Sequence, residues 1–199
     1  MRLNAFTYYA DYAVHPIAAV GLGSAVYLTT PASDWPTWMA SFGAGILTWP
    51  LAEYTLHRWV FHRIPPAKGM HEAHHRDGTA LIGTPWWVSL PLIGALVLAP
   101  AIAIGGFALG AWFTAGIMLG YTAYMIVHHG VHHWQIEQGS VMDRLKRRHG
   151  LHHRYDPEGN YDQGNYGVVT GFWDKVFGTD LGLAAIPGTG ARQRPNRPV

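Results

Sequence analysis

The sequence predicts an all-α protein: a four-transmembrane-helix bundle with a cytoplasmic helical cap that carries clustered histidines. Three observations predict this class. Hydrophobic residues make up 49% of the 199 residues and charged residues only 13%, against roughly 25% charged in a typical soluble domain. Four apolar stretches are each as long as the ~17–25 residues that cross a hydrocarbon core. No Lys or Arg occurs between Arg76 and Arg144, a gap that the solvated outer faces of a soluble bundle would not tolerate. The length suits one domain, expected over residues 1–183, with 184–199 as a flexible Pro-, Gly- and Arg-rich tail. There is no Cys, which excludes disulfides, thiolate zinc sites, iron–sulfur clusters and a Cys nucleophile. The formal net charge of +2 carries no signal for a nucleic-acid partner.

The four spans are expected at about 14–30, 38–56, 86–104 and 107–127. The first lacks a basic segment followed by a cleavage site, so it reads as a helix and not as a signal peptide. The second holds the small residues Gly43, Ala44 and Gly45, and the fourth holds a G-x-x-x-G pair, Gly116 and Gly120, which lets helix backbones approach closely. Trp86, Trp87, Trp112 and Tyr121 lie near stretch ends, where aromatic rings suit the membrane interface. Pro50, Pro91 and Pro100 predict kinks or shifted boundaries. The third and fourth spans are separated only by a Gly105-Gly106 turn.

The loops set the orientation. Arg58, Arg63, Lys68 and Arg76 lie between spans two and three, and Arg144, Lys146, Arg147 and Arg148 follow span four. The positive-inside rule places both regions, and both termini, in the cytoplasm. The cap then comprises residues 57–85 and 128–183. A multi-pass protein of a bacterial inner membrane is expected.

Twelve of the 13 histidines lie between His57 and His153, all on the cap side. The first cluster runs from His57 and His62 to His71, His74 and His75. The second is His128, His129, His132 and His133. The third is His149, His152 and His153. Residues three and four apart share a helix face, so each H-x-x-H-H triplet can offer two or three imidazoles in one direction. His57 and His62 stand about 140° apart on an ideal helix and could ligate together only near its frayed end or with help from a bend. In the second cluster, His128 with His132 gives one face and His129 with His133 another, and spacing does not choose between them. Imidazole suits iron, zinc, copper and nickel. Ten or more converging rings are too many for one metal and fit two. A pair of irons able to activate dioxygen is the reading, since zinc does not cycle its oxidation state. A histidine-rich transport loop would be a low-complexity tract, and a membrane haem would need two or four His inside the spans. A non-enzymatic metal transporter or metal-binding membrane protein is the alternative of a different class. His15 stands apart and reads as a packing or interface residue that reaches the headgroups.

These residues resemble the fatty acid hydroxylase/sterol desaturase superfamily of integral membrane di-iron enzymes. The resemblance rests on Glu53-Tyr54-x-Leu56-His57-Arg58-x-x-x-His62, on His71-x-x-His74-His75, on His128-x-x-x-His132 with Tyr124 upstream, and on His149-x-x-His152-His153. Tyr166-Gly167-Val168 and Phe172-Trp173-Asp174-x-Val176-Phe177-Gly178-Thr179 resemble its closing segment. The resemblance covers Leu51 to Thr179. Met125 stands where the family often has an Asp. The resemblance implies the ligands His57, His62, His71, His74, His75, His128, His132, His149, His152 and His153. His129, His133 and Asp174 would then be alternative ligands or groups that hold a ligand in place.

The function implied is hydroxylation of a lipid C–H bond, an acyl chain first, with sterol or carotenoid hydroxylation and desaturation as alternatives. Two iron ions, replaceable by zinc on purification, and dioxygen as co-substrate are implied. No flavin, haem or nicotinamide site is expected in the chain, so electrons should come from a separate ferredoxin or small cytochrome. The basic run Arg144 to Arg148 is a candidate contact for that donor or for anionic lipid. Trp86, Trp87, Tyr124 and Trp173, with Phe172, are candidates for a substrate entrance or for an interfacial belt.

Overall fold

The computed structural model describes residues 2–154 and 164–182, and these are helical with no strand. An isolated antiparallel bridge joins Arg2 to Ile82. The expected tail at 184–199 lies outside the described residues.

Helix α1 spans Ala5–Thr29, starting nine residues before the apolar stretch suggests. Its start is set by a cap: Asn4 Oδ1 accepts a hydrogen bond from Thr7 N at 2.8 Å. Tyr8, Tyr9, Asp11 and Tyr12 make this first part polar, which hides it from a search for apolar runs. Helix α2 spans Trp35–Thr55, with Pro36 in its first turn, where no N–H partner is lost. It continues without a break into a π-helical turn, Leu56–Phe61. Helix α3 is Ala67–Arg76 and α4 is Trp86–Ile93. A second π-helical segment, Gly94–Leu98, leads into α5, Ala99–His133. Pro100 follows this widened segment, and a ring without N–H at that place disturbs the regular ladder.

Helix α5 is not straight. Gly106 is non-helical, with φ +78°, a conformation that costs glycine little. The chain reverses there, so that Gly110 meets the backbone of Ala101 and Ile102. This confirms the expected Gly105-Gly106 turn between two apolar arms. Beyond it lie α6, Val141–His152, and α7, Phe172–Val176. The start of α6 is capped reciprocally: Ser140 Oγ accepts from Asp143 N at 3.1 Å, and Asp143 Oδ2 accepts from Gly139 N at 2.9 Å.

The core is α2 packed against the second arm of α5. A methyl group on Gly45 would fall 3.0 Å from Gly116 Cα and closer still to Phe113 O. Gly116 and Gly120 therefore lie flat against α2, the role that a G-x-x-x-G pair predicts. Away from the histidines, Val26, Trp38 and Ala111 form a buried cluster, with Trp38 stacked on Trp112. Large apolar side chains such as Ile17, Val20, Leu28, Leu47, Leu96 and Ile104 point outward and are exposed. Ala5–Thr29 and Trp86–His133 are long and apolar enough to cross a membrane.

Candidate metal centre

Ten histidine side chains converge into two groups of five. His57, His62, His71, His75 and His152 form the first, and His74, His128, His132, His149 and His153 form the second. Within each group the candidate ligand atoms lie within 4.8 Å of one another.

The construction follows from helix periodicity. Each H-x-x-H-H triplet sends two imidazoles in one direction, not three. On α3, His71 and His75 are four apart and join the first group, while His74 turns to the second. Helix α6 mirrors this: His149 and His153 join the second group and His152 the first. Each short helix thus serves both groups, and each group is completed by a pair from a long helix. His128 and His132 come from the last turns of α5. His57 and His62 come from the π turn at the end of α2. Of the two routes the spacing leaves open, the structure takes the bend: i→i+5 closure brings residues five apart toward one face, and the two rings lie 5.3 Å apart. The groups share a wall, where His75 of the first stacks on His153 of the second at 4.3 Å.

The nitrogens meet at ligand spacing. His71 Nε2 lies 2.9 Å from His57 Nε2, 3.0 Å from His62 Nε2 and 2.9 Å from His75 Nε2. In the second group, His149 Nε2 lies 2.8 Å from His132 Nε2 and 3.0 Å from His153 Nε2. Two nitrogens each about 2.1 Å from one ion and at right angles to each other are about 3.0 Å apart. The donor set therefore fits a metal in each group. The protonation states fit as well. His57 Nδ1 donates to Tyr166 O at 2.5 Å, and His152 Nδ1 donates to Gly164 O at 2.8 Å. A carbonyl only accepts, so both rings carry their proton on Nδ1 and turn the Nε2 lone pair inward. Burial, reinforced by neighbouring histidines, pushes His71 and His152 well below the usual imidazole range, His153 to about 4 and His74 to about 2. Neutral rings are what a cation requires. Both nitrogens of His74 and Nδ1 of His149 are buried and lack a hydrogen-bond partner among the described residues, a cost that a bound ion removes at the inward-facing atoms.

Residues 42–179 match the fatty acid hydroxylase family. The chain belongs to the fatty acid hydroxylase family. It is 36% identical over 161 residues to the dihydroceramide fatty acyl 2-hydroxylase FAH2 of Arabidopsis thaliana, covering 71% of this chain and 60% of the relative. It is 32% identical over 164 residues to the fatty acid 2-hydroxylase of Macaca fascicularis, covering 76% of this chain and 41% of the relative. The solved structure of full-length scs7p, in which only the hydroxylase domain is visible, superposes with a TM-score of 0.71 at 26% identity, over 92% of this chain and 72% of that one. The chain thus spans 60% or less of the length of these two curated relatives.

The family boxes account for both groups, and the structure sorts the remaining candidates. His129 and His133 stand outside the groups: their rings stack at 4.2 Å, and His129 Nδ1 lies 3.2 Å from Tyr8 Oη. His15 is fully buried; its Nδ1 donates to Asp11 O at 2.9 Å and its Nε2 lies 3.0 Å from Ser89 Oγ. It packs α1 on α4, as a packing residue should, but it does not reach outward to headgroups. Asp174 makes no hydrogen bond to a histidine ring among the described residues. It accepts from Tyr166 N at 2.8 Å and Gly167 N at 2.9 Å, and so holds the backbone that holds His57. The basic run is turned partly inward, with Arg148 paired to Asp174 and Asp180 and Arg147 paired to Asp143. That leaves Arg148 unsuited to docking a partner.

A cavity of about 110 Å³ abuts His71, His74 and His128, and so touches both groups. Of the five aromatic residues expected at an entrance, only Tyr124 lines it. Trp86 and Trp87 meet edge to face on the partly exposed start of α4, and Trp173 stacks on Phe177. Sequence reasoning missed most of the remaining wall, including Phe61, Met70, Met125 and Tyr121, with Tyr8, Asp11 and Tyr12 from α1. Phe61 and Met70 sit one residue from His62 and His71, a proximity that could have marked them. The α1 residues carry no such signal.

Proposed function

We propose that this chain is a membrane-embedded oxygenase that hydroxylates a C–H bond of a lipid, an acyl chain first, at a pair of metals held by the ten histidines. The observation that carries the reading is the cavity that meets both histidine groups at once. Its family membership and the printed activities of its relatives, fatty acid and dihydroceramide fatty acyl 2-hydroxylation, support the same substrate class.

The ligands are His57, His62, His71, His75 and His152 for one metal and His74, His128, His132, His149 and His153 for the other. Two irons bound there would supply dioxygen activation and the oxidation of the C–H bond. One oxygen atom enters the product as hydroxyl and the other leaves as water, which takes two electrons and two protons per turnover. A separate ferredoxin or small cytochrome delivers the electrons. The protein's own part is placement. Phe61, Met70 and Met125 give the cavity an apolar side that suits an alkyl segment, beside the polar groups of Tyr8, Asp11 and Tyr12. Tyr124 stacks on His128 at 5.4 Å and fixes that ring beside the cavity.

The membrane arrangement belongs to this reading. Trp86–His133 turns back at Gly106 and supplies two spans. With α1 and α2 it makes four, and the histidines, the cap and both termini lie on the cytoplasmic side. This agrees with the outward apolar side chains and with the basic loops.

Comparative lipid mass spectrometry of cells with and without the gene tests the proposal. A lipid heavier by one oxygen is the expected product. A lipid lighter by two hydrogens would replace hydroxylation with desaturation, and an unchanged lipid profile would refute the enzyme.

A further inference from the structure

The two histidine groups are braced unequally, and the brace depends on two buried carboxylates that make no hydrogen bond to either among the described residues. Residues 164–169 lie against the first group. Their carbonyls at Gly164 and Tyr166 accept the Nδ1 protons of His152 and His57. This stretch is unusual backbone: Asn165 has φ +54°, which a non-glycine residue adopts only where its surroundings hold it. The hold is on the page. Asp174 takes the N–H groups of Tyr166 and Gly167, at 2.8 and 2.9 Å. Glu53, in the last turn of α2, takes the next two with Oε1, that of Val168 by a very short bond and that of Val169 at 3.2 Å. Four consecutive N–H groups are thus satisfied by two side chains, both almost wholly buried. Thr179 Oγ1 and Arg148 also bind Asp174, and Asn165 Oδ1 accepts from Leu181 N.

The second group is held less: His153 is hydrogen-bonded to the backbone of His75, whereas His149 Nδ1 and His74 Nδ1 have no hydrogen-bond partner among the described residues. A ligand whose far nitrogen is tied to a fixed carbonyl has already met its ordering cost before the metal arrives, and outer partners of this kind are worth about 10–100-fold in metal affinity.

We infer that the two metal sites differ in affinity. The site of His57, His62, His71, His75 and His152 fills first and holds its metal more tightly, and Glu53 and Asp174 are the positioning residues that set the difference. The inference rests on the dimetal reading above. Buried carboxylates are expensive to keep, and here their work is to hold the backbone that aims two ligand rings.

The test is metal titration of the metal-free full chain in detergent, without oxygen. Cobalt(II) serves as a visible probe, and bound metal is counted by mass spectrometry against graded chelator. The wild type should take up two ions in two steps about tenfold or more apart. His152→Ala should remove the tighter step and leave the weaker, and His153→Ala should do the reverse. Glu53→Leu should weaken the tighter step by about 10–100-fold while the other stays in place. Glu53→Gln, which keeps an Oε1 acceptor, should restore most of that loss. A single step with both ions equivalent overturns the inference, and so does a Glu53→Leu variant in which both steps move together. If the tighter step is lost in His153→Ala and not in His152→Ala, the assignment is reversed and the inference fails. Failure to bind any metal would sink the dimetal reading itself, an outcome distinct from two ions bound alike.

Discussion

His128 and His132 stand beside His129 and His133 on the same last turns of α5, with the same spacing, yet only the first pair enters a histidine group. The second pair faces α1, where His129 lies among Tyr8, Tyr9 and Tyr12. Residue type and spacing are identical, so the difference is one of helix face alone. The face is set two turns or more upstream, where Gly116 and Gly120 are pressed on α2. On an ideal helix His128 lies about 80° around from Gly120, whereas His129 lies about 180° away, on the opposite side. On this geometry, the close glycine contact in the apolar core sets which imidazoles join the histidine groups at the helix end.

The comparison breaks most sharply at the ligands. His132→Ala should lower hydroxylated lipid by on the order of 10²-fold or more, beyond the cost of losing an outer partner. Metal per chain should fall with it, and both are read by mass spectrometry on the same preparation. Stripping the purified protein with a chelator should have a comparable effect, reversible by ferrous iron and not by zinc, which does not change oxidation state. A smaller loss is expected at the glycine contact. Gly116→Val would place side-chain atoms against the Phe42 and Gly45 backbone, an overpacking that costs about 1–3 kcal/mol. A thermal melt should show it, with activity falling because the histidine face turns. If Gly116→Val left both stability and product unchanged, the upstream contact would not be what sets the face.

The same contact shows how far the sequence could be read. A histidine cluster was legible because three of the four boxes repeat one residue type at helical spacing; the choice of these ten came from the family resemblance, and the structure gathers the ten into two groups. The Gly105-Gly106 reversal was legible too, since little but glycine sits between two apolar runs. The division of labour within H-x-x-H-H was not. Residues at i+3 and i+4 share a face when there is one target, but they diverge when two targets lie on either side of the helix, and the number of targets is a tertiary fact. The first nine residues of α1 escaped because tyrosines and Asp11 interrupt the apolar pattern, although Asn4 carries a cap signal. The role of Glu53 escaped because its partners, the N–H groups of Val168 and Val169, lie more than a hundred residues away and carry no side-chain signature.

The smaller effects lie on the other face. His129→Ala removes the contact with Tyr8 and should cost about 1 kcal/mol of stability, with product formation and metal content near the wild type. His15→Ala removes a hydrogen bond to buried Ser89, so a loss of about 1 kcal/mol is expected, again with two metals retained. The least effect belongs to His133→Ala. Its ring is exposed and stacks only on His129 among the described aromatic contacts, and a substitution of that kind usually changes stability by less than about 0.5 kcal/mol. His132 and His133 are adjacent in sequence, so the pair of alanine variants holds chain position almost constant and changes only the face. Metal content measured on the two variants side by side should then differ by about one ion per chain. Equal retention in both, or loss in His133→Ala alone, would mean that α5 turns its opposite side to the metals.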